Sequence, residues 1–250
     1  MNYFYILICT IFALMIWVPW LWRYRLQPLL EQKKLSRTLK QHPHWIDIKE
    51  TENFLKRLYK NINAKRVSNQ ERQHQGLANQ QEFIYGEIQF LSFYKILDKV
   101  KPKVHEKFYD LGCGGGKAVF SAALFFDLSQ SVGIELLPRL CDVAQQQLKK
   151  AQQNAVSLPA VSRIQFINDD FLQYDFSDGD IIFINATALS DSIWSKLCAK
   201  LLKLKPGSRV IVTTKTIPHR AFELLYQGRE LMSWGMNSVS IYQLRLLESR

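Results

Sequence analysis

From Lys107 onward the chain alternates short apolar runs with helix-like segments, and this alternation restricts the possible folds more than any other feature. The runs KFYDL, SVGIEL, RIQFIN, DIIFINA and SRVIVTTK read as strands. Between them, the stretch from about Lys117 to Phe126, the amphipathic RLCDVAQQQLKKAQQNA and the stretch from about Asp191 to Leu204 read as helices. Strands that alternate with helices return by right-handed crossovers, giving a parallel sheet covered on both faces. The last two strand-like runs, RELMSW and SVSIYQLRL, have too little between them for a crossover. They predict an antiparallel hairpin on the sheet edge. The expected fold is α/β, a Rossmann-like seven-stranded sheet.

The amino-terminal third reads differently. Tyr3–Trp22 is uncharged and largely apolar, and a helix of about 20 such residues crosses roughly 30 Å of hydrocarbon. Trp17, Trp20 and Trp22 gather at one end, followed by Arg23, Arg25, Lys33, Lys34 and Arg37. Indoles favour the interface and positive charge stays on the cytoplasmic side. The expectation is a single-pass anchor over residues 3–22, amino terminus outside and body in the cytoplasm. A cleaved signal peptide fits less well, since no basic residue precedes the run and no small-residue cleavage site follows it. The net charge of +11 implies an anionic partner, and basic residues beside a bilayer would meet anionic lipids. Residues 23–81 form a basic, Gln- and Asn-rich region in which Trp45, Ile48, Phe54, Leu58 and Ile62 fall at helical spacing. The four cysteines are scattered, without a CxxC pair or clustered histidines. No zinc site or disulfide framework is read, which suits a reducing compartment.

The candidate site lies in FYDLGCGGGKAVF. Gly112, Gly114, Gly115 and Gly116 let the backbone turn sharply and approach a ligand closely. A glycine loop alone is weak evidence, but its neighbours sharpen it. Asp110 at the strand end suits an ammonium and would repel a pyrophosphate. Glu135 ends the next strand, roughly 20 residues after the glycines, where an acid accepts from ribose hydroxyls. Asp170 and Phe171 follow the third strand, where an acid and an aromatic can take an adenine amino group and cover its ring. Ammonium, ribose diol and adenine without phosphate match S-adenosylmethionine rather than NAD. Lys117, Lys215 and His219 near this face read as solvated or phosphate-contacting groups. Met232 and Trp234 read as sheet packing.

Here the sequence resembles a known family. FIYGEIQFLSFYKIL, FYDLGCGGGKAVF, GIEL, DDFL, IIFINA and VIVTTK follow one another as in the non-SET histone-lysine methyltransferases named for disruption of telomeric silencing. Membrane-anchored protein-lysine methyltransferases are a more distant resemblance. The resemblance covers about Phe83 to Leu244 and implies an S-adenosylmethionine-dependent methyltransferase domain over residues 82–250 with a protein lysine as acceptor. It implies that Tyr85, Gly86 and Glu87 close over the methionine end of the cofactor, and that Asp110 meets its amino group. Glu135 would hold the ribose, Asp170 with Phe171 the adenine, and Asn185 would sit beside the methyl donor. After Asn185 the family has a second asparagine and aromatics, whereas this chain has Ala186, Thr187, Ala188 and Leu189.

Methyl transfer to an amine is an in-line displacement at an activated carbon, so the enzyme mainly aligns its reactants. A lysine must first lose its proton, which a narrow apolar channel and the cofactor's positive charge favour. Asn185 is expected to orient donor or acceptor, and Tyr85 to wall the transfer site. Three alternatives stay open: an RNA acceptor, a lipid or small-molecule acceptor, and a membrane module that binds the cofactor without transferring. Nucleic acid is not favoured, because NATA lacks the prolines and aromatic of the tetrad found in amino-directed nucleic-acid methyltransferases.

Overall fold

The computed structural model describes residues 15–22, 26–77, 79, 86–154 and 159–246. Helices α1 (Gln27–Leu39), α2 (Trp45–Leu58), α3 (Ala64–His74) and α4 (Phe90–Val100) precede the sheet. Asn63 caps α3, its side chain accepting from the Arg66 amide at 2.9 Å. There follow β1 (Lys107–Leu111), α5 (Lys117–Phe125), β2 (Gln130–Glu135), α6 (Pro138–Asn154), β3 (Ile164–Asn168) and β4 (Ile181–Ile184). Then come α7 (Asp191–Leu201), β5 (Arg209–Thr213), β6 (Phe222–Met232) and β7 (Gly235–Leu244).

The sheet has seven strands in the order β3-β2-β1-β4-β5-β7-β6. Strands β1 to β5 pair in parallel, and β7 inserts antiparallel between β5 and β6. Period-two alternation sorts the side chains. Tyr109, Leu111, Ile182, Ile184, Val210 and Val212 meet Trp194, Leu197 and Leu201 of α7 on one face. Phe108, Ile181, Phe183 and Ile211 meet α4 and α5 on the other, through Phe93, Ile96, Leu97, Ala118 and Ala122. Burying both faces produces the continuous apolar runs seen in the central strands. The strand order reverses between β1 and β4, and in doubly wound sheets this switch point opens a crevice at the carboxyl ends of the strands.

The helices of residues 23–81 share this core. Leu55 and Tyr59 are buried with Val119 and Phe120 of α5, and Leu39 and Ile48 are buried with Leu91 and Tyr94 of α4. Residues 3–14 of the expected anchor lie outside the described residues. Residues 15–21 are helical, and Met15, Ile16, Trp17, Val18 and Trp20 are exposed. Among the described residues no helix is long and apolar enough to cross a membrane.

The hairpin departs in detail from the sequence reading. Strand β6 begins at Phe222 rather than near Arg229, and Ser233 and Trp234 form the turn. As an edge strand with a register shift between Leu224 and Tyr226 and with Leu224 and Leu225 each 49% exposed, its first half lacks regular alternation. Helices α5 and α7 end at Phe125 and Leu201, slightly earlier than expected.

Candidate active site

The glycine loop leaves β1 at Leu111 and enters α5 at Lys117. The Gly112 and Cys113 amides both donate to the Ile134 carbonyl, at 2.9 and 3.0 Å, tying the loop to β2. Gly116 caps α5 with φ +85°, and a Cβ there would come within 2.5 Å of the Phe166 ring. Glycine alone fits. Gly112, at φ +83°, faces open space and lines a cleft of about 440 Å³, within the size range of small-molecule sites.

Two acids flank this loop. Asp110, on β1, is 3% exposed, and Glu135, ending β2, is 7% exposed. Glu135 Oε2 accepts from the Gly114 amide at 2.7 Å and Oε1 from the Leu137 amide at 2.9 Å. Burial pushes the Asp110 carboxyl well above its ordinary range, and the Glu135 charge adds to the rise. Burial also raises Glu135, while the bonds from Leu137 and Gly114 oppose the shift. Among the described residues neither acid forms an ion pair. Desolvated carboxylates without a counter-charge favour a cationic ligand.

Asp170 lies beyond the tip of β3, its Oδ1 accepting from the Leu172 amide at 2.8 Å. Phe171, Leu136, Leu137 and Leu140 give the same end of the cleft apolar walls. Asn185 follows β4. Its Oδ1 accepts from Thr213 at 2.7 Å and Thr187 at 3.0 Å, and its Nδ2 donates to the Gly86 carbonyl at 3.4 Å. Gly86 and Glu87 are held to the β6–β7 turn: the Glu87 amide donates to Ser233 Oγ at 3.2 Å and the Ser233 amide to the Glu87 carbonyl at 3.0 Å. A Cβ on Gly86 would lie 2.6 Å from the Trp234 ring. Tyr85 lies outside the described residues. Gly86, Gly112, Gly114, Glu135, Asp170, Phe171 and Asn185 therefore line one cleft. Asp110 and Glu87 line a smaller hollow that shares Gly86, Gly112, Cys113 and Asn185 with it. Gly116 supports the loop from behind, against Phe166.

Several cleft residues have no signal in the sequence. Trp234 lines the cleft as well as packing on the core, which corrects its reading as packing alone, whereas Met232 is buried in the core. Lys65 and Ser68 of α3 also line the cleft. Tyr59, at the end of α2, donates to the Gly115 carbonyl at 2.7 Å. Burial, and then neighbouring Cys113, Glu87 and Asp110, push its phenol up, so it stays protonated as a donor. Lys117 is only partly exposed. It pairs with Glu87 and lies over the Tyr59 and Phe90 rings. Lys215 pairs with exposed Asp191 at 2.7 Å, and His219 Nδ1 accepts from the Ala221 amide at 3.1 Å.

This sheet order, with a glycine loop after β1 and buried acids on β1 and β2, defines a Rossmann-like methyltransferase fold. The chain belongs to the family described as Histone methylation protein DOT1, whose profile matches residues 63–244. A histone-lysine N-methyltransferase, H3 lysine-79 specific, from Aspergillus fumigatus is 25% identical over 226 residues, 86% of this chain and 43% of the relative. The protein of that name from Debaryomyces hansenii is 26% identical over 181 residues, 64% of this chain and 15% of its own length. A protein-lysine N-methyltransferase from Saccharolobus islandicus is 27% identical over 118 residues, 47% of this chain and 67% of the relative. The chain thus spans less than half the length of the two fungal relatives. Among solved structures, an RNA methyltransferase from Salinibacter ruber in complex with S-adenosyl-L-homocysteine superposes with a TM-score of 0.45 at 20% identity, over 64% of this chain and 93% of that one.

Proposed function

We propose that this chain is an S-adenosylmethionine-dependent methyltransferase acting on a protein lysine. The observation that carries the cofactor is the pair of buried acids, Asp110 and Glu135, which form no ion pair among the described residues and flank a glycine loop, Glu135 lining the cleft of about 440 Å³ and Asp110 the hollow beside it. Residue by residue the cleft and the adjoining hollow fit the group. Asp110 would take its ammonium, Glu135 its ribose hydroxyls, and Asp170 with Phe171 and the leucine wall its adenine. A pyrophosphate would meet the two acids and be repelled. The bound cofactor supplies an activated methyl group on a sulfonium. The chain's own contribution is alignment and exclusion of water, with Asn185 oriented at the end of β4 and the Gly86–Glu87 segment held over the opening. The lysine acceptor is supported by the family and by the activities named for the fungal and archaeal relatives.

The uncharged run Tyr3–Trp22 and the basic residues after it support a membrane anchor, with the catalytic domain on the cytoplasmic side and anionic headgroups near residues 23–40. Fractionation of cells expressing the full chain, with and without residues 1–25, checks this. Recovery of both forms in the soluble fraction would remove the anchor.

Calorimetric titration with S-adenosylmethionine and S-adenosylhomocysteine, followed by labelled-methyl transfer to a protein extract and mass spectrometry of lysines, tests the function. Saturable binding with label on lysine is expected. No binding overturns the cofactor assignment; label confined to RNA or lipid overturns the acceptor; binding with no transfer leaves a cofactor-binding module.

A further inference from the structure

Asn185 joins the tips of β4 and β5 to the Gly86 segment, and its amide can point either way unless something fixes it. The bonds around it decide the orientation. Thr213, fully buried, places its hydroxyl 2.7 Å from Asn185 Oδ1, and Thr187 places its own at 3.0 Å. With two hydroxyls donating to Oδ1, Nδ2 is turned to the Gly86 carbonyl.

Thr187 is itself braced. Its Oγ1 lies 2.9 Å from Thr214 Oγ1 and accepts from Asn237 Nδ2 at 3.2 Å, while Thr214 donates to Asn237 Oδ1 at 3.0 Å. Asn237 thus spans both threonines from β7, and the directed bonds run from Thr214 to Asn237, from Asn237 to Thr187 and from Thr187 to Asn185. Thr214 adopts φ +67°, an outlier for a β-branched residue that persists only where surroundings hold it. Its amide donates to the Ser238 carbonyl at 3.0 Å, which holds it there.

We infer that Thr187 is a positioning residue: braced by Thr214 and Asn237, it sets the Asn185 amide so that Nδ2 clamps the Gly86 segment over the cleft. The inference stands on this geometry; only its kinetic consequence rests on the proposed transferase activity. Thr187 also lines the cleft, and its effect on the Gly86 segment passes through Asn185.

The test is hydrogen exchange at the Glu87 amide in the full chain, comparing wild type with Thr187→Val, Thr187→Ser, Asn237→Ala, Asn185→Ala and the Asn185→Ala/Thr187→Val double variant. Valine keeps the shape and deletes the hydroxyl. It should speed exchange about three- to ten-fold, as expected for one ordinary hydrogen bond, and serine should restore the wild-type rate. Asn237→Ala should act in the same direction, which keeps the test usable if valine disturbs the turn. In the Asn185→Ala background the valine substitution should add nothing, the signature of a shared path. With a transferable acceptor, Thr187→Val should lower kcat/KM, and Thr187→Ser should restore it. Unchanged exchange in both Thr187→Val and Asn237→Ala, or a full additional effect in the double variant, overturns the inference. Failure of wild type to bind S-adenosylmethionine would overturn the proposed function while leaving the exchange result to be judged on its own.

Discussion

Replacing Asp110 by asparagine should stabilise the free protein and weaken its ligand binding, two effects of opposite sign from one group. Asp110 is 3% exposed, and burial, with the Glu135 charge second, holds its pKa well above the ordinary carboxylate value. An acid whose folded pKa exceeds its unfolded pKa weakens the fold as pH climbs from the unfolded value through the folded one. Asparagine keeps the shape and removes that titration. Relief of a destabilising site feature typically returns about 0.5–2 kcal/mol, and in a chain of this size 1 kcal/mol moves Tm by about 2–4 °C. The free variant at neutral pH should therefore melt higher by a few degrees. Binding should move the other way. A hydrogen bond to a charged group contributes about 1.5–3 kcal/mol, so affinity for S-adenosylmethionine should fall about 10- to 150-fold. In the wild type a bound ammonium lowers the carboxyl pKa, binding releases protons, and affinity climbs with pH until the free carboxyl's raised pKa is passed. Calorimetry in two buffers of different ionisation heat, with thermal melts of the free proteins, reads every part of this. Equal affinity and equal proton release in Asp110→Asn, or a lower melting temperature of the free variant, would show the reasoning to be wrong.

Two further substitutions probe the scaffold. Gly116→Ala forces a Cβ to within 2.5 Å of Phe166 at φ +85°, and the left-handed penalty plus overpacking predicts a loss of about 2–4 kcal/mol in urea denaturation; a loss under about 1 kcal/mol would mean the loop is not tightly seated. Tyr59→Phe removes the 2.7 Å bond to the Gly115 carbonyl and should lower stability by about 1 kcal/mol. The same variant should weaken cofactor binding, and unchanged affinity on titration would show that the glycine loop keeps its shape without α2.

The sheet was legible because its strands are buried on both faces. Phe108, Ile181 and Ile211 are fully buried, and such runs, cut by helices of different period, stand out without tertiary information. The acids at the strand tips were legible for a related reason: a strand's carboxyl end is also where its apolar run stops, so Asp110, Glu135 and Asp170 mark themselves. Trp234 escaped because its run reads as strand up to the tryptophan, whereas the chain turns at Ser233. Gly235, at φ +122°, is the local sign of that turn. Tyr59, Lys65 and Ser68 escaped because they reach the cleft only through helix packing. The Tyr59–Gly115 bond spans 56 residues of sequence, and no local pattern encodes it. The Lys117–Glu87 pair was hidden in the same way, since the two sit on segments joined only by the fold.

These long-range contacts bear on how the amino-terminal helices relate to the site. Tyr59 holds one wall of the cleft through the Gly115 carbonyl. Glu71, only 2% exposed, holds the other, since both its carboxylate oxygens accept from the Arg139 amide at 3.1 Å. Arg139 lies in the first turn of α6, where the helix presents unsatisfied amides and its positive end, so a buried carboxylate is stabilised there. The α6 turn follows directly on Glu135 and supplies Leu137 and Leu140 to the cleft. The glycine loop and the helix after Glu135 are thus fixed by side chains of α2 and α3, from residues that the sequence alone marks as a region between a candidate anchor and a catalytic domain.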